Sequence, residues 1–220
     1  MKIAVIGNTK QTLKGLNRLI EEEYQVSCVF GLPEDKSTNK VDLELDLIIC
    51  LGDSRIVPER VLIGHKVIGN HGAVLPYIQG GASYVWGRML NTGKWGISIM
   101  ELDKVVDAGK ILVTKEFSYE SDCSMEEFCD IADSLTIEAL FEYLNGDYEP
   151  RENSKWNVKI ARHTDSKFVV GILRETLDNG SNIYLPPRRP VDSNIKYEWG
   201  DGFIESFKKA NNFPYPRWTE

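Results

Sequence analysis

Lys2-Ile3-Ala4-Val5-Ile6-Gly7-Asn8-Thr9 opens the chain with an unbroken apolar run that stops at a glycine. A short run of this kind, without polar alternation, reads as a strand buried on both faces, the habit of parallel sheets. Thr9 is placed to cap a helix, and Leu13, Leu16, Leu19 and Ile20 follow at helical spacing. Tyr24 to Gly31 then alternates apolar residues as a second strand. Strand, helix and strand at this pitch make a βαβ unit, and such units build parallel sheets with right-handed crossovers. Further along, Leu47 to Gly52 repeats the apolar run ending in glycine, Pro58 opens a short helix to Ile63, and Lys66 to Gly69 is another strand. Ser83 to Leu90 reads as a helix, with Val85, Trp86, Met89 and Leu90 on one face, and Gly96 to Leu102 and Lys110 to Phe117 as strands around a turn. Ser124 and Glu127 form a capping box for a long helix that Asn145-Gly146 stops. After Pro150 the pattern shortens. Lys167 to Arg174, Ser181 to Pro186 and Ile195 to Trp199 read as short strands, Asp178-Asn179-Gly180 as a hairpin turn, and Phe203 to Asn211 as a short helix. The expectation is an α/β fold with a Rossmann-like, mostly parallel sheet over residues 1–150, followed by a small β-rich C-terminal subdomain over 151–220.

Composition narrows the function. The 220 residues carry a formal net charge of −7, which argues against a nucleic-acid backbone as partner. Pro187-Arg188-Arg189-Pro190 and Lys208-Lys209 are local basic patches of the kind that usually form solvated turns or helix ends. The first apolar run is too short for a signal peptide and no span approaches a membrane helix, so a cytoplasmic protein with no membrane partner is expected. Cys28 and Cys50 lie in apolar runs, the spacing of Cys123 and Cys129 does not suit zinc, and His65, His71 and His163 are the only histidines, so no metal site is expected. Ile6-Gly7-Asn8-Thr9 lacks the glycines of a dinucleotide fingerprint, and no P-loop occurs.

Ligands of open α/β sheets bind beyond the carboxyl ends of the strands. Asn70 and His71 stand at such an end, inside the glycine-flanked stretch Gly69-Asn70-His71-Gly72-Ala73-Val74-Leu75-Pro76. Asp107 lies between Val106 and Ala108-Gly109, just before a strand. Each alone has a plain structural reading: a histidine capping a strand, an aspartate forming a turn. Their order and spacing together are more specific than either alone.

His71-Gly-Ala-Val-Leu-Pro76, then Gly80-Gly81, Trp86, Gly96-Ile-Ser-Ile-Met100 and Asp107-Ala-Gly-Lys-Ile-Leu112 resemble, in order and spacing, the folate-dependent formyltransferase family. That family pairs an Asn-x-His-x-x-Leu-Leu-Pro element with a Gly-Val-Thr-Ile-His strand and an Asp-x-Gly turn. The resemblance covers residues 1 to about 145. It implies a formyltransferase fold and the transfer of a formyl group from 10-formyltetrahydrofolate to an amine without a metal, with Asn70, His71 and Asp107 catalytic. It implies that Arg55, Ile56 and Val57, and on a second loop Asp103 and Lys104, contact the pterin. Tyr77, Gln79 and Trp86 become candidates for the acceptor side, and Tyr184, Tyr197 and Trp199 for stacking on a base. Two positions depart from the pattern. Met100 stands where the family strand often ends in histidine, and Gly69 stands where the family carries its catalytic asparagine. Asn70 is adjacent to His71, and neighbouring strand residues face opposite ways; either the strand end bulges or another donor serves. The short chain and its C-terminal segment are most similar to the sugar N-formyltransferases, which implies a small-molecule amino-sugar acceptor, usually nucleotide-linked. Glycinamide ribonucleotide, methionyl-tRNA, hydrolysis of the donor and folate binding without turnover are the alternatives. The apolar C-terminal segments suggest a homodimer.

Overall fold

The computed structural model describes residues 1–30, 44–52, 56–160, 163 and 165–212. Its main sheet has six strands in the order β2-β1-β3-β4-β6-β7. The strands are β1 (Lys2–Ile6), β2 (Gln25–Phe30), β3 (Leu47–Cys50), β4 (Val67–His71), β6 (Lys94–Glu101) and β7 (Ile111–Ser118). The first four in spatial order run parallel, and β6 and β7 close the edge antiparallel. The sheet is therefore mostly parallel, as the apolar runs required.

Helices cover both faces. On one side Leu19 of α1 (Lys10–Glu21) and Ala132, Ile137, Leu140 and Phe141 of α4 (Met125–Leu144) pack on Ile3, Val5, Ile49 and Ile68. On the other, Val61 of α2 (Glu59–Gly64) meets Ala4, Ile6, Ile48 and Val67. The alternation along β1 and β3 thus feeds two cores, which is why those strands tolerate no polar residue. The caps read from sequence are formed: the Thr9 side chain accepts from the N–H of Thr12, and Ser124 and Glu127 make a reciprocal capping box. Among the described residues no helix is long and apolar enough to cross a membrane.

A second, three-stranded parallel sheet was legible in the sequence only in its strand within Ser181 to Pro186. It joins β5 (Ile78–Gly80), β9 (Ile183–Leu185) and β8 (Val158–Lys159) in the order β5-β9-β8. Ile78, Ile183 and Val158 form one cross-strand row; Gln79, Tyr184 and Lys159 form the next. The first row joins an apolar cluster with Val85 and Trp86 of α3 (Ser83–Leu90) and with Val169 and Leu173 of α5 (Ser166–Asp178). Phe207 of α6 (Asp201–Ala210) completes it, so one core runs across residue 150. The second row faces the other way.

The C-terminal segment corrects the β-rich expectation. Lys167 to Arg174 belongs to α5, not to a strand. Its buried residues Ser166, Val169, Val170, Leu173 and Thr176 recur at helical spacing, and the Asp165 side chain caps the first turn by accepting from the N–H of Phe168. Asp178-Asn179-Gly180 ends that helix instead of turning a hairpin, with Gly180 at φ +65°. Ile195 to Trp199 is not a strand either; Tyr197–Trp199 is a single 3₁₀ turn. Arg188 is structural, not a solvated basic patch. Its guanidinium lies 5.0 Å from the Trp86 ring and donates to Ser166 Oγ, the Asp192 carbonyl and Asn211 Oδ1. Burial lowers its pKa to about 10.

Candidate active site

A cavity of about 690 Å³ opens beyond the carboxyl ends of β1, β3 and β4. It has the size and the mixed apolar and polar wall of a small-molecule site. His71, the last residue of β4, is 6% exposed within it. Its Nε2 lies 2.8 Å from the carbonyl oxygen of Ile78. A carbonyl can only accept, so Nε2 carries a proton and is the anchored end of the ring. Nδ1 turns to Asp107 Oδ1 at 3.5 Å, too long for a strong hydrogen bond and close enough for an ion pair. In the singly protonated ring a lone pair would face a carboxylate; a proton held between the two groups removes that repulsion.

The turn carrying Asp107 is fixed from several directions. Asp107 has a left-handed backbone, φ +54°, which costs a non-glycine residue roughly 1 kcal/mol. The surroundings hold it there. Its Oδ2 accepts from the N–H of Gly80 at 2.7 Å, and its carbonyl accepts from Gln79 Nε2 and from Asn153 Nδ2, each at 2.9 Å. Gly109 closes the turn because a Cβ there would lie 1.9 Å from the carbonyl oxygen of Glu101. Gly80 presents its N–H at φ +100°, where a Cβ would meet the Leu185 carbonyl oxygen at 2.0 Å. The aspartate is thus positioned by β5, and β5 by β9.

The loop after His71 is tied to β6. Ser98 is paired in register with His71, and its buried hydroxyl accepts from the N–H of Leu75 and donates to the Ala73 carbonyl. Asn70 lines the cavity beside His71. Its Oδ1 accepts from the N–H of Gly52 beyond β3, which leaves Nδ2 as its donor.

Ile56, Val57, Asp103 and Lys104 also line the cavity. Ile56 is 80% and Val106 43% exposed at this wall, apolar surface that a flat ligand would cover. Lys104 is ion-paired with Glu59 of α2. Arg55 lies outside the described residues. The acceptor-side expectations are corrected. Gln79 is fully buried and spends its amide on the Asp107 turn. Trp86 is 2% exposed in the core, donating to the Pro186 carbonyl. Tyr77 lies against a separate cavity of about 310 Å³ with Val74 and Trp95. Of the stacking candidates, Tyr184 lines the His71 cavity, Trp199 is buried, and Tyr197 is 75% exposed. Burial and the charge of Asp107 raise the pKa of Tyr184. Gly80 and Gly81, which carried the resemblance but were not read as site residues, and Pro187 are also on the wall. No group of three potential metal ligands exists among the described residues.

No protein-family profile matches the chain. Methionyl-tRNA formyltransferase of Prochlorococcus marinus subsp. pastoris is 27% identical over 128 residues, 57% of this chain and 39% of that protein. The enzyme of the same name from Mycoplasma genitalium is 26% identical over 173 residues, 72% of this chain and 53% of that protein. The chain thus spans about half or less of the length of these relatives. Among solved structures, HypX from Aquifex aeolicus in complex with tetrahydrofolic acid superposes with a TM-score of 0.72 at 18% identity, covering 97% of this chain and 34% of that one. A 4-N formyltransferase from Francisella tularensis superposes with a TM-score of 0.69 at 14% identity, covering 99% and 89%. The structural likenesses establish the formyltransferase fold, and the sequence relatives, methionyl-tRNA formyltransferases, support the resemblance to the folate-dependent formyltransferase family.

Proposed function

We propose that the chain is an N-formyltransferase that takes the formyl group of 10-formyltetrahydrofolate and delivers it to the primary amine of a nucleotide-linked amino sugar in the cytoplasm. The observation that carries the reading is the His71–Asp107 pair, buried at the head of a cavity of ligand size, with the ring anchored through Nε2.

The apolar wall at Ile56, Val57 and Val106 suits a pterin, with Asp103 and Lys104 on the adjoining loop. When bound, the donor supplies an activated carbonyl carbon. As the amine nitrogen bonds to that carbon, negative charge grows on the carbonyl oxygen. Nδ1–H of His71 is the donor free to meet it, because Nε2 is committed to Ile78 and the 3.5 Å contact with Asp107 leaves room to share. Nδ2 of Asn70 is a second donor on the same wall. Fixed donors of this kind are worth about 3–4 kcal/mol each. Asp107 Oδ1 accepts the proton that the amine must lose, and that proton goes to N10 as the N10–carbon bond breaks. Oδ2, held by the Gly80 N–H, keeps the carboxylate aimed. Proton transfer of this sort contributes about 10² to 10⁴-fold.

One observation supports the sugar: the charge of −7 disfavours a polyanionic tRNA, whereas overlays cover most of both chains for a sugar N-formyltransferase and a methionyl-tRNA formyltransferase alike. Methionyl-tRNA is the second reading, favoured by the names of the sequence relatives. Purified protein incubated with 10-formyltetrahydrofolate and either a panel of nucleotide-linked amino sugars or methionyl-tRNA, read by mass spectrometry, separates them. A formylated sugar that disappears with His71→Ala and Asp107→Asn is the expected result. Formylated methionyl-tRNA would replace the acceptor, and no transfer to any amine while folate binds would refute the activity.

A further inference from the structure

Lys155, Trp156 and Lys159 gather around Tyr184 on the polar face of the second sheet. Tyr184 is the middle member of the Gln79–Tyr184–Lys159 row and is itself a wall of the cavity. The Trp156 ring packs against it, centroids 4.9 Å apart at 50°. Lys159 Nζ sits 5.7 Å from the Trp156 centroid and 5.5 Å from that of Tyr184, and Lys155 Nζ sits 5.4 Å from Trp156. Both rings are half-buried and both ammonium groups are exposed. Among the described residues neither lysine is ion-paired, whereas Lys10, Lys14, Lys104, Lys110, Lys115 and Lys196 all are. In a chain of net charge −7, these two cations stand together beside two ring faces.

Ring faces recognise flat bases by stacking, and ammonium groups recognise phosphates as point charges. Resting on the formyl-transfer reading of the His71 cavity, we propose that Trp156 and Tyr184 seat the base, and Lys155 and Lys159 the diphosphate, of a nucleoside-diphosphate sugar acceptor. With the nucleotide there, the attached sugar reaches past Tyr184 toward Asp107. That proximity is already expressed in the raised pKa of Tyr184, caused by burial and then by the Asp107 charge.

Calorimetric titration of the intact protein with uridine, thymidine and guanosine diphosphates, and separately with 5-formyltetrahydrofolate, tests this. At least one nucleoside diphosphate should bind saturably and lose affinity as salt rises. Trp156→Ala and the double variant Lys155→Ala/Lys159→Ala should each weaken it roughly tenfold or more and leave folate affinity unchanged. The unchanged folate affinity also shows that the variants fold. Folate binding without nucleotide binding by the wild type would overturn the proposal and leave the formyl-transfer reading standing. Variants that lose folate instead would overturn it by giving the seat to the anionic tail of the donor. Nucleotide binding that depends on these residues, with no folate binding, would uphold the seat and refute the formyl-transfer reading.

Discussion

Ser98→Ala isolates what holds the loop after His71. The Ser98 hydroxyl is fully buried and satisfies two main-chain groups, the N–H of Leu75 at 3.0 Å and the carbonyl of Ala73 at 2.9 Å. Both residues are themselves buried, at 1% and 0% exposure, so water cannot take over. Removing the oxygen leaves one donor and one acceptor unmet, each costing about 1–3 kcal/mol. A total of roughly 2–6 kcal/mol follows, and with a urea slope of about 2 kcal/mol/M the unfolding midpoint should fall by about 1–3 M. The loop also leads to Ile78, whose carbonyl anchors His71 Nε2. A loosened anchor should therefore lower kcat of the formyl transfer by about tenfold or more, while folate affinity, set by the opposite wall, holds. Urea unfolding followed by tryptophan fluorescence, together with steady-state kinetics on the folded variant, reads both quantities. A midpoint within experimental error of the wild type would refute the reasoning, because the loop would then owe its hold to something other than this hydroxyl.

Asn70→Asp keeps an oxygen to accept from the Gly52 N–H but deletes the Nδ2 donor and adds a negative charge. Formyl transfer should fall by about 10² or more with little change in thermal stability; unchanged turnover would remove Asn70 from the mechanism. Asn153→Ala deletes one of two donors to the Asp107 carbonyl and the bond to the Gly109 carbonyl. It should reduce kcat more than folate affinity, and restoration of activity in Asn153→Gln would separate positioning from loss of fold. Asp133, buried on α4 against Gln11 of α1, has its pKa raised to about 6 by burial. Its folded value lies above its unfolded one, so the native state binds the extra proton and stability falls as pH rises from about 4 through 6. The full cost, up to about 3 kcal/mol, is present above pH 6. Asp133→Asn should thus be nearly neutral at pH 4 and stabilising at pH 7.5; a variant destabilised at pH 7.5 in urea titrations would contradict this.

The main sheet was legible because its strands are apolar throughout and stop at glycines, and because α1 and α4 announce themselves with caps at Thr9 and Ser124. His71 and Asp107 were legible as strand-end residues, and the structure brings them together. The second sheet was legible only in the strand within Ser181 to Pro186. Its strands are two or three residues long, too short for any periodicity, and they find partners far along the chain. Lys167 to Arg174 misled because Phe168, Val169, Val170 and Ile172 favour strands, whereas the cap at Asp165 and the burial spacing decide for helix. Gln79 and Trp86 lay in the right stretch of sequence, but alternation along β5 and the inner face of α3 turn both inward. Lys155 and Trp156 lie in an irregular segment with no pattern to mark them.

The pairing of β5 with β9 also sets a timetable for the growing chain. Gly80 leaves the ribosome roughly a hundred residues ahead of Leu185, whose carbonyl packs against it, a wait of about 5–20 s at ordinary elongation rates. Until then the parallel sheet can assemble, but the N–H that aims Asp107 has no wall behind it. An unfinished chain therefore carries His71 and Asp107 without the geometry to use them, and the synthesis of the last third of the protein acts as the arming step for the first.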